Sequence, residues 1–159
     1  MEQAPILDRD EITSLAAEVR ARNISIILTN GCFDLIHVGH IRYLNAAKEL
    51  GGFVIAAINS DRQVLRLKGA GRPFIPELER AEIVAAIRSV DAVTIFDDPT
   101  VEELILAIRP DIHAKGTDYT TESVPEREIV RRYGGRVEIV GDPKDHSSTD
   151  LIRTVAQSQ

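Results

Sequence analysis

The 159-residue sequence has a single cysteine, Cys32. That excludes an intrachain disulfide and a multi-cysteine metal site, and it suits a reducing, cytoplasmic setting. Positive charge is scarce as well. The 19 Lys and Arg stand against 25 Asp and Glu, which leaves a formal net charge of −6 and a pI near 5.2. A general nucleic-acid binder is expected to be basic, so that partner is disfavoured. An acidic protein that handles phosphates must instead gather its cations locally. No apolar run approaches the length of a membrane span. Residues 1–10 lack the basic-then-apolar order of a signal peptide. Internal repeats, low-complexity tracts and linkers are also missing. At 43% hydrophobic and 28% charged, the chain is expected to form one soluble domain over residues 1–159, with residues 1–22 supplying a helix that packs on it.

Apolar periodicity supplies the elements. Ile12, Leu15, Ala16 and Val19 fall on one helical face, predicting a helix over residues 8–22. Residues 24–28 are an apolar run, broken only by Ser25 and ending in Thr29-Asn30-Gly31, that reads as a buried strand and a turn. A helix over 38–50 stops at Gly51-Gly52, and a strand over 53–58 ends at Asn59-Ser60-Asp61, residues suited to cap the next helix. The Gly- and Pro-bearing stretch 68–76 reads as a loop. Helices over 77–89, 101–108, 125–133 and 147–156 then alternate with strands over 92–96, 112–114 and 137–140. Alternation with continuously apolar strands predicts a doubly wound, Rossmann-like α/β domain with five parallel strands and helices on both faces. In such folds ligands bind beyond the carboxyl ends of the strands, so the polar segments there draw attention.

The first of these is Gly31-Cys32-Phe33-Asp34-Leu35-Ile36-His37-Val38-Gly39-His40. His37 and His40, three apart at the start of a helix, can share one face. Gly39 lets a phosphate approach the backbone, and the helix N-terminus offers N–H groups and a positive dipole end. Paired histidines can also ligate zinc, but no third or fourth ligand stands at a recognisable spacing, so no metal site is expected. Residues 66–72 put Arg66, Lys68 and Arg72 in a Gly-rich loop that matches neither a Walker A loop nor a dinucleotide fingerprint. By itself it reads as a solvated basic loop, as most charge clusters do. Ser147-Ser148-Thr149 opens the last helix, where hydroxyls serve as caps or hold anions. Cys32, with no base paired to it, is expected to be a small buried side chain beside the ligand and no nucleophile. His113 reads as a core or dimer-contact residue.

The run from Gly31 to His40 resembles the HxGH signature of the nucleotidyltransferase superfamily. More closely, Thr29-Asn30-Gly31-Cys32-Phe33-Asp34-Leu35, Asn59-Ser60-Asp61, Arg66-Leu67-Lys68-Gly69, Gly71-Arg72-Pro73, Asp91, Arg109-Pro110-Asp111 and Lys115-Gly116 with Asp118-Tyr119 resemble the adenylyltransferases of ADP-heptose biosynthesis. The resemblance covers nearly the whole chain and implies attack by a sugar 1-phosphate on the α-phosphorus of ATP, with Mg²⁺ arriving on the triphosphate and no nucleic-acid or membrane partner. A homodimer is expected too. The resemblance implies catalytic roles for His37, His40 and Lys68. It implies nucleotide contacts for Asn30, Gly31, Cys32, Phe33, Gly39, Lys115, Gly116, Asp118, Ser147, Ser148 and Thr149. Substrate contacts would fall to Asp34, Asn59, Asp61 and Arg66. The sequence departs from the usual pattern at Thr117, where relatives carry Gly, and at Asp145 and His146, just before the Ser-Ser-Thr run; Asp142 stands where glycerol-phosphate cytidylyltransferases carry Arg. A cytidylyltransferase acting on glycerol 3-phosphate and a nucleotide-binding module without turnover stay open as other readings.

Overall fold

The computed structural model describes residues 2–143 and 147–158. Its centre is a parallel sheet in the spatial order β1-β4-β3-β2-β5-β6. The strands are β1 (Ile6–Leu7), β2 (Ile26–Gly31), β3 (Phe53–Asn59), β4 (Ala92–Phe96), β5 (Ile112–Lys115) and β6 (Arg136–Ile139). Between and after them run α1 (Arg9–Ala21), α2 (Val38–Glu49), α3 (Asp61–Lys68), α4 (Glu77–Ala85), α5 (Glu102–Ile108), α6 (Arg127–Arg132) and α7 (Ser148–Gln157). The predicted alternation and the parallel sheet stand, but the strand count is six where five were expected. The extra strand is β1, which pairs Ile6 with Val93 and Leu7 with Thr94 at the sheet edge. Two residues carry no periodicity, and only the neighbouring β4 makes them a strand.

Strand alternation sorts the core onto two faces. Ile26 and Leu28 of β2, with Ile55 and Ala57 of β3, pack with Ile12, Ala16 and Val19 of α1 and with Leu104, Ile105 and Ile108 of α5. On the other face Ala56 and Ile58 meet Leu44 of α2 and Ala81, Val84 and Ala85 of α4. Ile27, Val54 and Ala114 enclose Ala47. Both faces of the strands are therefore dry, which is why their sequences run apolar without alternation. Caps set the helix starts. Asp8 and Glu11 form a reciprocal capping box for α1, and Ser60 accepts the Gln63 N–H at the start of α3. The helix predicted over 77–89 ends at Ala85, where the chain turns down toward β4.

The chain lays down β2, β3 and β4 in one direction, then returns to place β5 on the opposite side of β2. The loops leaving β2 and β5 diverge at that reversal and open a crevice between them. One buried residue holds the crevice wall in place. Arg80 of α4 is fully buried, and its guanidinium donates to the carbonyl oxygens of Cys32 (2.5 Å), Asn59 (2.8 Å) and Ile75 (2.9 Å) and to Asp61 Oδ1 (2.7 Å). The segments beyond β2 and β3 and the loop before α4 are thus tied to one planar fork, a geometry an ammonium cannot reproduce.

Replacing Arg80 by Met keeps the apolar stem but leaves those carbonyls without their donor. Arg80→Met is expected to lower stability by about 2–4 kcal/mol in urea unfolding. A loss below about 0.5 kcal/mol would remove Arg80 from this role.

Candidate active site

A cavity of about 590 Å³ lies at the carboxyl ends of the strands, centred on that crevice. His37 and His40 line it from the start of α2. The two histidines also form the helix cap. His37 is the N-cap residue, and its Nδ1 accepts the Gly39 N–H at 3.1 Å, while the His37 N–H donates to Nδ1 of His40 at 3.2 Å. Because each Nδ1 accepts, the proton of each neutral ring sits on Nε2. The capping box therefore sets both tautomers and makes both Nε2–H groups donors. The rings lie 4.0 Å apart between centroids, and the buried Phe33 ring braces His40 at 5.5 Å. Phe33 itself has φ of 48°, a left-handed conformation that turns the chain sharply between β2 and α2.

Cations line the same cavity, although the chain as a whole is acidic. Lys68, the last residue of α3, is exposed and lines the cavity. Arg72 lines it too, stacked 5.0 Å from the Phe74 ring and bonded to Asp34 Oδ2 at 2.7 Å. Asp34 is 2% exposed and accepts the backbone N–H groups of Phe74 and Ile75 at 2.9–3.1 Å as well. Burial by itself would raise its pKa, but the Phe74 N–H, the Arg72 guanidinium and the Ile75 N–H together outweigh it and hold the carboxyl below the ordinary range. Asp34, expected as a substrate contact, borders the cavity and is at the same time an anchor for the loop that follows α3. Its oxygens pin the Arg72–Ile75 loop.

On the other side of the crevice, β5 contributes a buried polar cluster. Asn30 Oδ1 lies 3.3 Å from Lys115 Nζ and 3.0 Å from His113 Nε2. A lysine ammonium only donates, so the amide atom it meets is the oxygen and His113 must carry its proton on Nε2. His113 is fully buried; burial chiefly, with the Lys115 charge adding, pushes its pKa down to about 3. It is a neutral core residue, not a surface contact between subunits. Lys115 is 7% exposed and lies 4.4 Å over the Tyr119 ring. Its pKa is lowered by burial, against the opposing charges of Glu126 and Asp118.

Gly31, Gly39, Gly116 and Asp118 also border the cavity, as do Ser147, Ser148 and Thr149 at the head of α7. Ser147 caps α7 by accepting the Asp150 N–H at 3.1 Å, and Ser148 Oγ ties the helix to the Leu35 carbonyl at 3.2 Å. Thr117, the departure in the β5 loop, donates to the Asp142 carbonyl at 2.7 Å, while Asp142 itself pairs with Arg42 at 3.1 Å. A glycine could not make the Thr117 bond. The departures at Asp145 and His146 lie outside the described residues.

Cys32 and Asn59 border the cavity with Cys32 Sγ 3.9 Å from Asn59 Oδ1. Cys32 is half-buried, more open than expected, and burial raises its pKa against the charges of Lys68, Arg80 and Arg72. Two expected contacts are not brought in. The carboxylate of Asp61 is engaged by Arg80, and exposed Arg66 is not among the lining residues. Sequence reasoning gave no individual role to Arg72, Arg80, Tyr119 or Glu126. Arg80 looks like a surface residue of an amphipathic helix, and only the fold shows that it points inward.

A profile of the cytidylyltransferase-like family matches residues 28–155. The chain belongs to that family and is a nucleotidyltransferase. The protein named "Bifunctional protein HldE" of Pelobacter propionicus is 48% identical over 152 residues, 96% of this chain and 31% of the relative. Its namesake in Koribacter versatilis is 49% identical over 150 residues, again 31% of its own length. The chain thus spans about a third of the curated relatives it matches. A crystal structure of a lipopolysaccharide core biosynthesis protein from Thermoplasma volcanium shares the fold, with a TM-score of 0.65 at 23% identity over 77% of this chain and 99% of the other.

The His113 environment makes a pH prediction. Its folded pKa near 3 lies below the unfolded value of about 6.5, so the unfolded chain takes up a proton that the folded one refuses. Stability should therefore fall as pH drops from about 6.5 toward 3, with this group contributing up to about 1.4 kcal/mol per pH unit. His113→Gln should flatten the urea-derived stability profile across that window. An unchanged slope would show that His113 is protonated in the folded protein.

Proposed function

We propose that the chain transfers AMP from ATP to a heptose 1-phosphate, giving ADP-heptose and pyrophosphate. The observation that carries the chemistry is the pair of Nε2–H donors set by the histidine capping box, on the first turn of a helix and in one cavity with Lys68, Arg72 and Lys115. The acceptor reading rests on the motif resemblance to ADP-heptose adenylyltransferases and on 41–49% identity to the HldE proteins.

An oxygen of the sugar phosphate attacks the α-phosphorus. The bond from that phosphorus to the bridging oxygen breaks, and its electron pair leaves with pyrophosphate. The attacking oxygen is already ionised, because a phosphate monoester's second pKa is about 6. The reaction then needs alignment and charge stabilisation rather than a general base. His37 and His40 hold the α-phosphate oxygens, and Lys68 neutralises the bridging charge. The N-terminus of α7 with Ser147, Ser148 and Thr149 receives the leaving pyrophosphate, where helix dipole and N–H groups favour an anion. Asn30, Lys115, Gly116 and Asp118 flank the nucleoside. A Mg²⁺ ion bound to the triphosphate would offset part of its charge. No group of three or more His, Cys, Asp or Glu side chains is assembled to hold an ion alone among the described residues. No helix among those residues is long and apolar enough to cross a membrane, and we assign the reaction to the cytoplasm, where ATP is available.

His37→Ala and His40→Ala should each reduce turnover by about 10²-fold or more while triphosphate affinity falls far less, as loss of a preorganised transition-state donor does. Near wild-type turnover in either variant would refute the assignment. The substrate reading is tested by pyrophosphate release across ATP, CTP, GTP and UTP, each with heptose 1-phosphate, other sugar 1-phosphates and glycerol 3-phosphate. The highest kcat/KM should fall to ATP with heptose 1-phosphate. A preference for CTP with glycerol 3-phosphate would move the chain to the cytidylyltransferase branch.

A further inference from the structure

Glu126 sits just ahead of α6 and lines the cavity, yet it is only 7% exposed. Its Oε2 is inaccessible and has no hydrogen-bond partner among the described residues, and the side chain does not cap its own helix. A buried carboxylate without a donor is costly, and native proteins satisfy most such groups. Lys115, also 7% exposed, faces the same cavity and feels the Glu126 charge, but no ion pair joins the two. One of its N–H groups is turned to Asn30, which leaves others for a ligand. Glu126 and Lys115 therefore line one ligand cavity, each incompletely used by the protein.

We infer that Glu126 and Lys115 read the edge of the nucleobase, Glu126 accepting from an exocyclic amine and Lys115 donating to the adjacent ring nitrogen. An amino base presents that order, a donor amine beside an acceptor nitrogen. A 6-oxo purine presents the reverse, a carbonyl oxygen beside an N–H, and would set its oxygen against the carboxylate. The pair thus selects for amino bases by repelling oxo bases as well as by bonding the correct one. The inference rests on the proposed placement of the nucleoside beside β5, and it adds a specificity residue from outside the recognised motifs.

Calorimetric binding of ATP, 2′-deoxy-ATP and inosine triphosphate to the wild type, Glu126→Gln and Glu126→Ala tests it. The wild type should bind ATP at least about tenfold tighter than the inosine analogue, as expected when a buried polar group is left wrongly paired. Glu126→Gln, which keeps shape and can donate to a 6-oxo group, should narrow that ratio to within about threefold. Deoxy-ATP should bind the wild type as ATP does. Equal binding of ATP and the inosine analogue by the wild type, or full discrimination kept in Glu126→Gln, overturns the proposal. So does a loss on removing the 2′-hydroxyl that Glu126→Gln abolishes, because the carboxylate would then read the ribose. Thermal unfolding of each variant separates a folding defect from a binding one, and Glu126→Gln alone carries the test if Glu126→Ala does not fold. Pyrophosphate release from ATP and heptose 1-phosphate without base discrimination refutes this inference and leaves the transfer reaction standing. Base discrimination without turnover of any sugar phosphate does the reverse.

Discussion

A fully buried guanidinium carries the wall of the cavity. Arg80 reaches from α4 to the carbonyls of Cys32, Asn59 and Ile75, which belong to three separate segments around the crevice. The Cys32 and Asn59 carbonyls stand at the ends of β2 and β3 and that of Ile75 in the loop before α4, at the margin of the sheet's own hydrogen bonding. A single planar group with five N–H donors satisfies several at once and fixes their spacing. Asp34 does the complementary work with an anion, gathering the Phe74 and Ile75 N–H groups and the Arg72 side chain. Between them the two charges define the loop that bears Arg72, which explains how a Gly- and Pro-bearing segment can present a cation in a defined place.

The histidine pair shows how one local motif serves structure and chemistry together. A Ser or Asp at the N-cap would satisfy the helix start equally well. Histidine in both positions of the box satisfies it through Nδ1, which leaves Nε2 of each ring as the proton-bearing atom. The residues that begin the helix are thereby set in the tautomer a phosphate needs. The buried cluster beneath β5 follows the same logic. Lys115 dictates the orientation of Asn30, and Asn30 in turn dictates the proton position on His113.

Local charge, rather than net charge, governs what this acidic chain binds. Lys68, Arg72, Lys115 and Arg42 converge on one cavity, and two of them are disciplined by partners, Arg72 by Asp34 and Arg42 by Asp142. Two further anions of the wall, Asp118 and Glu126, lie near Lys115 on the β5 side. One end of the crevice is thus suited to phosphates and the other to polar groups that donate hydrogen bonds.

The sequence by itself determined the alternating elements, the parallel sheet and the histidine pair, because these are set by periodicity and by spacing within a few residues. Strands over residues 53–58 and 92–96 were legible within a residue, since strands covered on both faces must be apolar throughout. The local motifs that carry the family resemblance were legible for the same reason. Only the tertiary structure decided the rest. A two-residue strand exists only through its neighbour β4, and Asp34 anchors a loop because residues about 40 positions away fold onto it. Asp61 was drawn out of the site by Arg80, and Glu126 was drawn in by the return of the chain past β5. Each of these depends on contacts between segments distant in sequence, and the periodicity of any single segment carries no record of them.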